Sequence, residues 1–553
     1  MLAVLHTTPW ERILSDQAIL AGYVTSVFGS KVLATLVTPE SRGSTIDAAE
    51  VDLAVQIGAL VRIDTPRSRA YGVVNKLDAR QASSPPRPDE QREVEIDLFG
   101  ETPLDGLEGI AQDFRRGISI YPTLGAPLYS TTDVELGTIY SRPDASNVVV
   151  GSLYQDARIP AYVMTNELLG KHFAILGTTG AGKSCALSVV LHSVLQSHPH
   201  GHVVLLDPHN EYAPAFGDAA EIIRPTDLQM PYWLLNFEEM IEVLCSPDEN
   251  ARDSEAAILK DAIVYAKRAF CSDEEQSRIL TVDTPVPYRL STMLERIDDA
   301  MGDLGKPDQM GPYLRLKNRI DDLRDDRRFS FMFSGLTVKD TMTDVLSRIL
   351  RIPTSGRSVS IFDLSGVPAE IVDVVVSLLC RTIFDFALWS PPEDSAPILM
   401  VCEEAHRYIP RDPHDGFGPT RKAIARIAKE GRKYGVSLGL VTQRPSELAE
   451  TILSQCNTLF ALRMGNQQDQ EFVERALPES AAGMLSCLPS LRTQEAVVVG
   501  EGVRVPIRIR FANLEENKRP HSTTADFAHS WLEDSTSRET ITRSIERWRK
   551  QQR

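Results

Sequence analysis

The chain has 553 residues, of which 42% are hydrophobic and 24% charged, and its formal net charge is −17. This length suggests about three or four domains, and the composition excludes a disordered or collagen-like chain. The acidic balance excludes a protein that coats nucleic acid over its whole surface, but not one that holds it in a local basic channel. No apolar run reaches the ~18 residues of a membrane span. The opening MLAVLHTTPWERIL lacks the basic start and long apolar run of a secretory signal, so the expected location is the cytoplasm. Seven cysteines are scattered, with no CxxC spacing. An odd, unspaced set reads as buried thiols in a reducing compartment rather than disulfides or a zinc site.

Residues 1–155 read as β. AGYVTSVFGSKVLATLV, VDLAVQIGALVRID, AYGVVNKL, REVEIDLFG, ISIYPTLGAPLYS and NVVVGSLY are short β-branched runs parted by Gly, Pro, Ser and Asp. Close-spaced short strands predict a small barrel or sandwich. RQASSPPRPDEQ between them reads as an exposed loop. From about residue 170 the pattern changes. HFAIL and HVVLL are continuous apolar strands with the helical KSCALSVVLHSVLQS between them, a β-α-β unit with buried parallel strands. Residues 225–345 read as helical: FEEMIEVLC, SEAAILKDAIVYAKRAF, RLSTMLERIDDAM and PYLRLKNRIDDLRDD. Strands return with SVSIFDLSG, APILMVCEEAH, VSLGLVTQ and TLFALRM. AVVVGEGVRVPIRIRFA reads as a hairpin with a Gly turn. The expected class is therefore α/β: a parallel-sheet core over 156–224 and 346–512, an N-terminal barrel over 1–155, a helical insertion after the second core strand, and a charged tail over 513–553. In that tail, TADFAHSWLEDS and ETITRSIERWRKQQR are expected helices.

The strongest chemical signal is Gly177-Thr178-Thr179-Gly180-Ala181-Gly182-Lys183-Ser184. A backbone that wraps phosphates leaves no room for a β-carbon, so glycine is needed. The amides then form an anion nest, and the following helix points its N-terminus at the same charge. Lys183 places an ammonium at the β and γ phosphates, and Ser184 offers its hydroxyl to Mg²⁺. Cys185 completes the expected nucleotide-binding set.

Three strand ends add polar groups. In an open α/β sheet, ligands bind outside the carboxyl ends of the strands. ILMVCEEAH ends a strand with Glu403 and Glu404, and burying two adjacent acids is costly without a cation. Glu403 is assigned to the metal, through water, and Glu404 to polarising the attacking water. Asp207 ends HVVLLDPHNEY. It holds Mg²⁺ or orients water, or it caps the next turn; both readings stand open. His209 reads as a local hydrogen-bonding residue rather than a metal ligand. Gln443, ending VSLGLVTQRP, senses the γ-phosphate or the water, or is a turn residue before Pro445.

Charge supplies the last signal. From Ala405 to Tyr434 eight Lys or Arg face three acids, a net +5 inside a chain of −17. A solvated helix face is the ordinary reading of a charge run. The local reversal of sign points instead to phosphate contacts or to arginines that reach a neighbour's γ-phosphate. The Gly- and Pro-rich PRDPHDGFGP is placed to project into a pore.

Together GTTGAGKS after HFAIL, DPHNEY after a strand, IFDLSG, CEEAHRYIP, GRKYGV and TQRP resemble the HerA branch of the HerA–FtsK ATPases, over most of residues 165–512. The N-terminal β region resembles the small barrel of that family. The resemblance implies a homo-hexameric ring of RecA-like cores using ATP and Mg²⁺, with double-stranded DNA in the central channel. It implies Lys183, Ser184, Glu403, Glu404 and Gln443 in one subunit's site, Asp207 as the family's strand-end acid, and Arg432 as an arginine finger in trans. Asn210 departs from the glycine expected in the family pattern. Lys171 is a further candidate basic contact. The resemblance also implies a separate effector: a NurA-type nuclease in DNA end processing, or a sirtuin-like or nuclease protein in antiviral defence. Competing readings are an ATP-binding ring scaffold that activates an effector, and a P-loop secretion or pilus ATPase.

Overall fold

The computed structural model describes residues 18–37, 55–79, 92–104, 113–225, 227–228, 230–302, 309–333, 338–476, 484–521, 528, 531–532 and 537–549. RQASSPPRPDEQ, residues 80–91, lies outside them, as does most of TADFAHSWLEDS. The chain divides into two compact units, Met1–His198 with Ser437–Asn513, and Pro199–Val436 with Leu514–Arg553.

The first unit opens with the barrel. Its strands are β1 (Leu20–Phe28), β2 (Lys31–Leu36), β3 (Leu60–Asp64), β4 (Ser68–Ala79), β5 (Arg92–Pro103), β6 (Arg115–Arg116) and β7 (Pro127–Ser130). The order β2-β1-β7-β3-β4-β5 closes on itself through β2–β5 pairing, Lys31↔Asp97 to Thr35↔Glu93, and β6 adds to β5. Alternation turns Val24, Val32, Ala34, Ile63, Val74, Val94, Ile96 and Leu128 into one interior. Closure leaves the six strands no free edge. The helix α1 (Asp133–Ile139) follows, with a Thr132–Glu135 capping box. Buried Glu135 accepts from Arg62 Nη1 at 2.7 Å.

The same unit holds β8 (Asn147–Leu153), β9 (Pro160–Met164), β10 (Phe173–Leu176), α2 (Lys183–Ser197), β15 (Val436–Thr442), β16 (Thr458–Leu462), β17 (Glu495–Gly500) and β18 (Ile507–Phe511). These strands lie in the order β15-β10-β16-β17-β18-β8-β9. β10 is parallel to β15 and β16 and buried along its length, hence the unbroken apolar HFAIL. The expected hairpin forms as antiparallel β17 and β18. NVVVGSLY forms β8 as expected, but it pairs with β18, Leu153↔Ile509, and not with the barrel strands.

The second unit has the parallel order β12-β13-β11-β14, from β11 (His202–Asp207), β12 (Ala220–Ile223), β13 (Val359–Asp363) and β14 (Ile398–Cys402). Between β12 and β13 run the expected helices α3 (Phe237–Leu244), α4 (Glu249–Phe270), α5 (Leu290–Gly302) and α6 (Gly311–Asp325). They follow β12, a strand the sequence reading does not anticipate, because four residues of pattern AEII are too short to show a period. The long α7 (Ala369–Trp389) packs against α8 (Gly418–Tyr434), and α9 (Arg538–Arg549) lies in the tail. The α/β class with its N-terminal barrel, parallel-stranded core and helical insertion is the one the sequence leads to. No described helix is long and apolar enough to cross a membrane.

Two packing details lead to measurements. Phe173 of β10 stands edge-on to Phe460, centroids 6.4 Å apart, and fills the space left by Gly439, where an added β-carbon would lie 2.6 Å from the ring. Gly439→Ala is expected to cost about 1–3 kcal/mol through overpacking, read as a melting temperature lower by several degrees. In the insertion, buried Lys267 donates to the carbonyls of Val282 and Thr284 at 2.6 and 2.7 Å. Burial pushes its pKa down from 10.5 to about 8. Between those two values the unfolded chain keeps a proton that the folded chain sheds, so this lysine's contribution to stability grows as pH rises and is lost as pH falls. The melting temperature of the wild type minus that of Lys267→Met should therefore rise across this window.

Candidate functional site

In the first unit, β10 delivers the loop Gly177–Gly182 to the start of α2. Three glycines are there for two separate reasons. A β-carbon on Gly177 would sit 2.8 Å from that of Leu462. Gly180 and Gly182 have φ of +75° and +101°, which L side chains resist. The loop is braced from β16, since Thr178 donates both its backbone N–H and its hydroxyl to the Arg463 carbonyl, each at 3.0 Å. It is braced again before β17, where Gln494 N–H donates to the Ala181 carbonyl at 3.2 Å. Gly177 N–H donates to the carbonyl of Thr442, at the end of β15. Lys183 is buried, with its ammonium donating to the Thr178 carbonyl at 3.3 Å. Ser184 and Cys185 follow, half-buried in the first turn of α2. Gln443, one residue past β15, accepts a hydrogen bond from the Thr179 hydroxyl. The structure thus brings the phosphate-binding loop and the candidate sensor amide together.

In the second unit the acids sit at the carboxyl ends of adjacent parallel strands. Asp207 ends β11, Asp363 ends β13 in register with it, and Glu403 and Glu404 follow β14. Asp207 is fully buried. Its Oδ1 accepts the His209 N–H at 3.2 Å and its Oδ2 the Tyr212 N–H at 3.0 Å. Burial raises its pKa, and the backbone N–H groups of Tyr212, Glu211 and His209 pull it back. These bonds are the turn-capping alternative for Asp207 in physical form. Asn210 within this turn has φ of +56°. The departure from glycine is therefore met by a residue that tolerates the left-handed region.

Glu403 Oε2 accepts the Tyr212 hydroxyl at 2.8 Å. Glu404 stands in the left-handed region, φ 52° and ψ 46°, a strained conformation of the kind found at working sites. Its carboxylate lies between two imidazoles, with His209 Nε2 at 3.8 Å and His406 Nδ1 at 3.3 Å. Its Oε2 is buried without a hydrogen-bond partner. Asp363 accepts from Ser365 Oγ at 2.6 Å and from Arg224 Nε at 3.2 Å.

The basic segment splits in two. Ile424, Ile427 and Ala428 form the buried face of α8, while Lys422 pairs with Glu238 and Arg426 lies 4.4 Å over the Phe384 ring. Arg411, Lys429, Arg432 and Lys433 are exposed and, among the described residues, make no ion pair. Arg432 is thus a free cation at the C-terminal end of α8. Lys171 is not free; it pairs with Glu501.

These features have known counterparts. The family model for the helicase HerA, central domain, matches residues 148–383. Over that segment the chain is similar to the HerA helicases. It is similar to the DNA double-strand break repair helicase HerA of Pyrococcus furiosus, 26% identical over 431 residues that cover 71% of this chain and 74% of the relative. The HerA helicase of Sulfurisphaera tokodaii is 29% identical over 412 residues, with the same two coverages. Among solved structures, VirB4 of Thermoanaerobacter pseudethanolicus is similar at 17% identity, with a TM-score of 0.47 over 68% of this chain and 99% of that one.

Sequence reasoning passed over Tyr212, His406 and Asp363. A strand-end position was a signal for Asp363 alone; the other two are placed by the turns after β11 and β14. Asp207→Asn turns one acceptor into an NH₂ that faces a backbone donor. It should destabilise the protein by about 1–3 kcal/mol, seen as a lower melting temperature without nucleotide.

Proposed function

We propose that this chain is an ATP-driven translocase or helicase on duplex DNA, working as a hexameric ring with a separate effector protein. The observation that carries the reading is the glycine cradle of Gly177–Gly182, closed by Lys183 and joined to Gln443, inside a segment that matches the HerA central domain. The chain's chemistry fits a nucleotide with its magnesium. Positive-φ glycines curl the loop into a shape that suits an anion nest, and Glu404 Oε2 is buried with no hydrogen bond, only the His406 imidazole at 3.3 Å. Lys183 and the loop amides would hold the phosphates, and Ser184 and Glu403 would hold Mg²⁺, which when bound neutralises charge on the phosphates.

In this reading Glu404 accepts the proton of the attacking water, and Gln443 orients that water or senses the terminal phosphate. Its link to Thr179 makes loop and sensor respond together. Arg432, exposed and unpaired, serves a neighbouring subunit's nucleotide. Arg411, Lys429 and Lys433 offer phosphate contacts of the salt-dependent kind. The HerA relatives named above are DNA double-strand break repair helicases, which supports DNA as the substrate. A nuclease or an antiviral effector, of NurA or sirtuin-like type, is the partner class. A scaffold reading is favoured by one observation: α9 exposes Ile541, Ile545 and Trp548 along one helical stripe.

ATP turnover with and without duplex DNA tests the motor reading. Wild type should hydrolyse ATP faster with DNA. Lys183→Ala should abolish nucleotide binding or turnover, and Glu404→Gln should bind a non-hydrolysable analogue normally while kcat falls about a hundredfold or more. Normal turnover by Glu404→Gln would reassign the water. Full activation of an effector by Glu404→Gln rings would favour the scaffold.

A further inference from the structure

We propose that Tyr212 is the positioning residue for Glu403, and that its hydroxyl is what makes two consecutive glutamates do different work. The proposal rests on the ATPase reading above and deepens it. Tyr212 is fully buried. A buried phenol needs a hydrogen-bond partner, and a buried carboxylate needs donors. Each supplies the other, Tyr212 Oη donating to Glu403 Oε2 at 2.8 Å across 191 positions of sequence.

The tyrosine is itself held at both ends. Its backbone N–H donates to Asp207 Oδ2 at 3.0 Å, and the same carboxylate takes the His209 N–H at 3.2 Å. Asn210 supplies the left-handed step that lets the turn close on Asp207. On the far side, the Glu211 carbonyl accepts the His521 N–H at 2.8 Å, so the start of the tail is tied to the same turn. A fully buried acid, a tight turn and a buried ring thus end on one oxygen of Glu403.

Glu404 contrasts with this. Its left-handed backbone turns it off the line of β14, and its Oε2 has no hydrogen-bond partner. One carboxylate is aimed by a neutral hydrogen-bond donor; the other has on this oxygen the His406 imidazole at 3.3 Å and no hydrogen bond. A fixed acceptor suits holding a ligand shell, and an oxygen with no hydrogen bond suits taking a proton. The Tyr212 hydroxyl keeps Glu403 from swinging into the second task.

Tyr212→Phe keeps the ring and removes the hydroxyl. In this variant kcat for ATP should fall about tenfold while KM and the affinity for a non-hydrolysable ATP analogue stay within about twofold. A kcat within about twofold of wild type, or a loss confined to KM, would overturn the proposal. A melting-temperature cycle without nucleotide runs beside it. Tyr212→Phe should lower the melting temperature in the wild-type background and leave Glu403→Ala unchanged; equal drops in both backgrounds mean that the ring merely packs, and overturn it too. Should the wild type not hydrolyse ATP at all, the ATPase reading fails, and the cycle alone decides whether Tyr212 holds Glu403.

Discussion

Burial of carboxylates at the ends of parallel strands is the constraint on which the second unit depends. Asp207, Glu403 and Glu404 are each less than a tenth exposed, and an acid taken out of water is costly unless donors or cations meet it. The fold meets Asp207 with backbone N–H groups, Glu403 with a phenol, and Glu404 with two imidazoles at longer range. Those three solutions differ in strength. The first two are hydrogen bonds of ordinary length, and the third leaves one oxygen without a hydrogen bond. Hydrogen-bond satisfaction thus falls from β11 to the residues after β14.

The first unit meets a different problem, keeping a glycine-rich loop in shape. A loop that wraps phosphates has to be stiff before the phosphates arrive, or binding spends itself on ordering the loop. Here stiffness comes from outside the motif. Arg463 and Gln494 grip the loop through their backbones, and Gly439 of β15 leaves room for the ring of Phe173 on β10. The motif names the residues proposed to touch phosphate, while the backbone next to β15, β16 and β17 braces the loop.

This division explains what was legible in the sequence. HFAIL, HVVLL, APILMVCEEAH and VSLGLVTQ announce buried parallel strands because continuous apolar runs need no partner to be recognised. The P-loop announces itself through local chemistry. Pairing partners do not. β8 looks like one more strand of the β region, and only its contact with β18 assigns it to the large sheet. β12 is too short to show a period. Tyr212 stands in plain view in DPHNEY, yet its partner lies 191 positions away, beyond any spacing argument. Asn210 shows the reverse case, since a residue that breaks the family pattern keeps the backbone geometry the pattern encodes.

Charge reads differently once placed on α8. The net +5 of residues 405–434 is a sum over unlike members. Lys422 and Arg426 are engaged with Glu238, Asp385 and Phe384, so they contribute to holding the helix. Lys429, Arg432 and Lys433 stand exposed toward its C-terminal end, where cations also gain from the helix dipole. Stability alone therefore accounts for part of their placement. It does not account for three unpaired cations within five residues of a chain that carries a large negative excess. The phosphate contacts proposed above draw on that exposed charge.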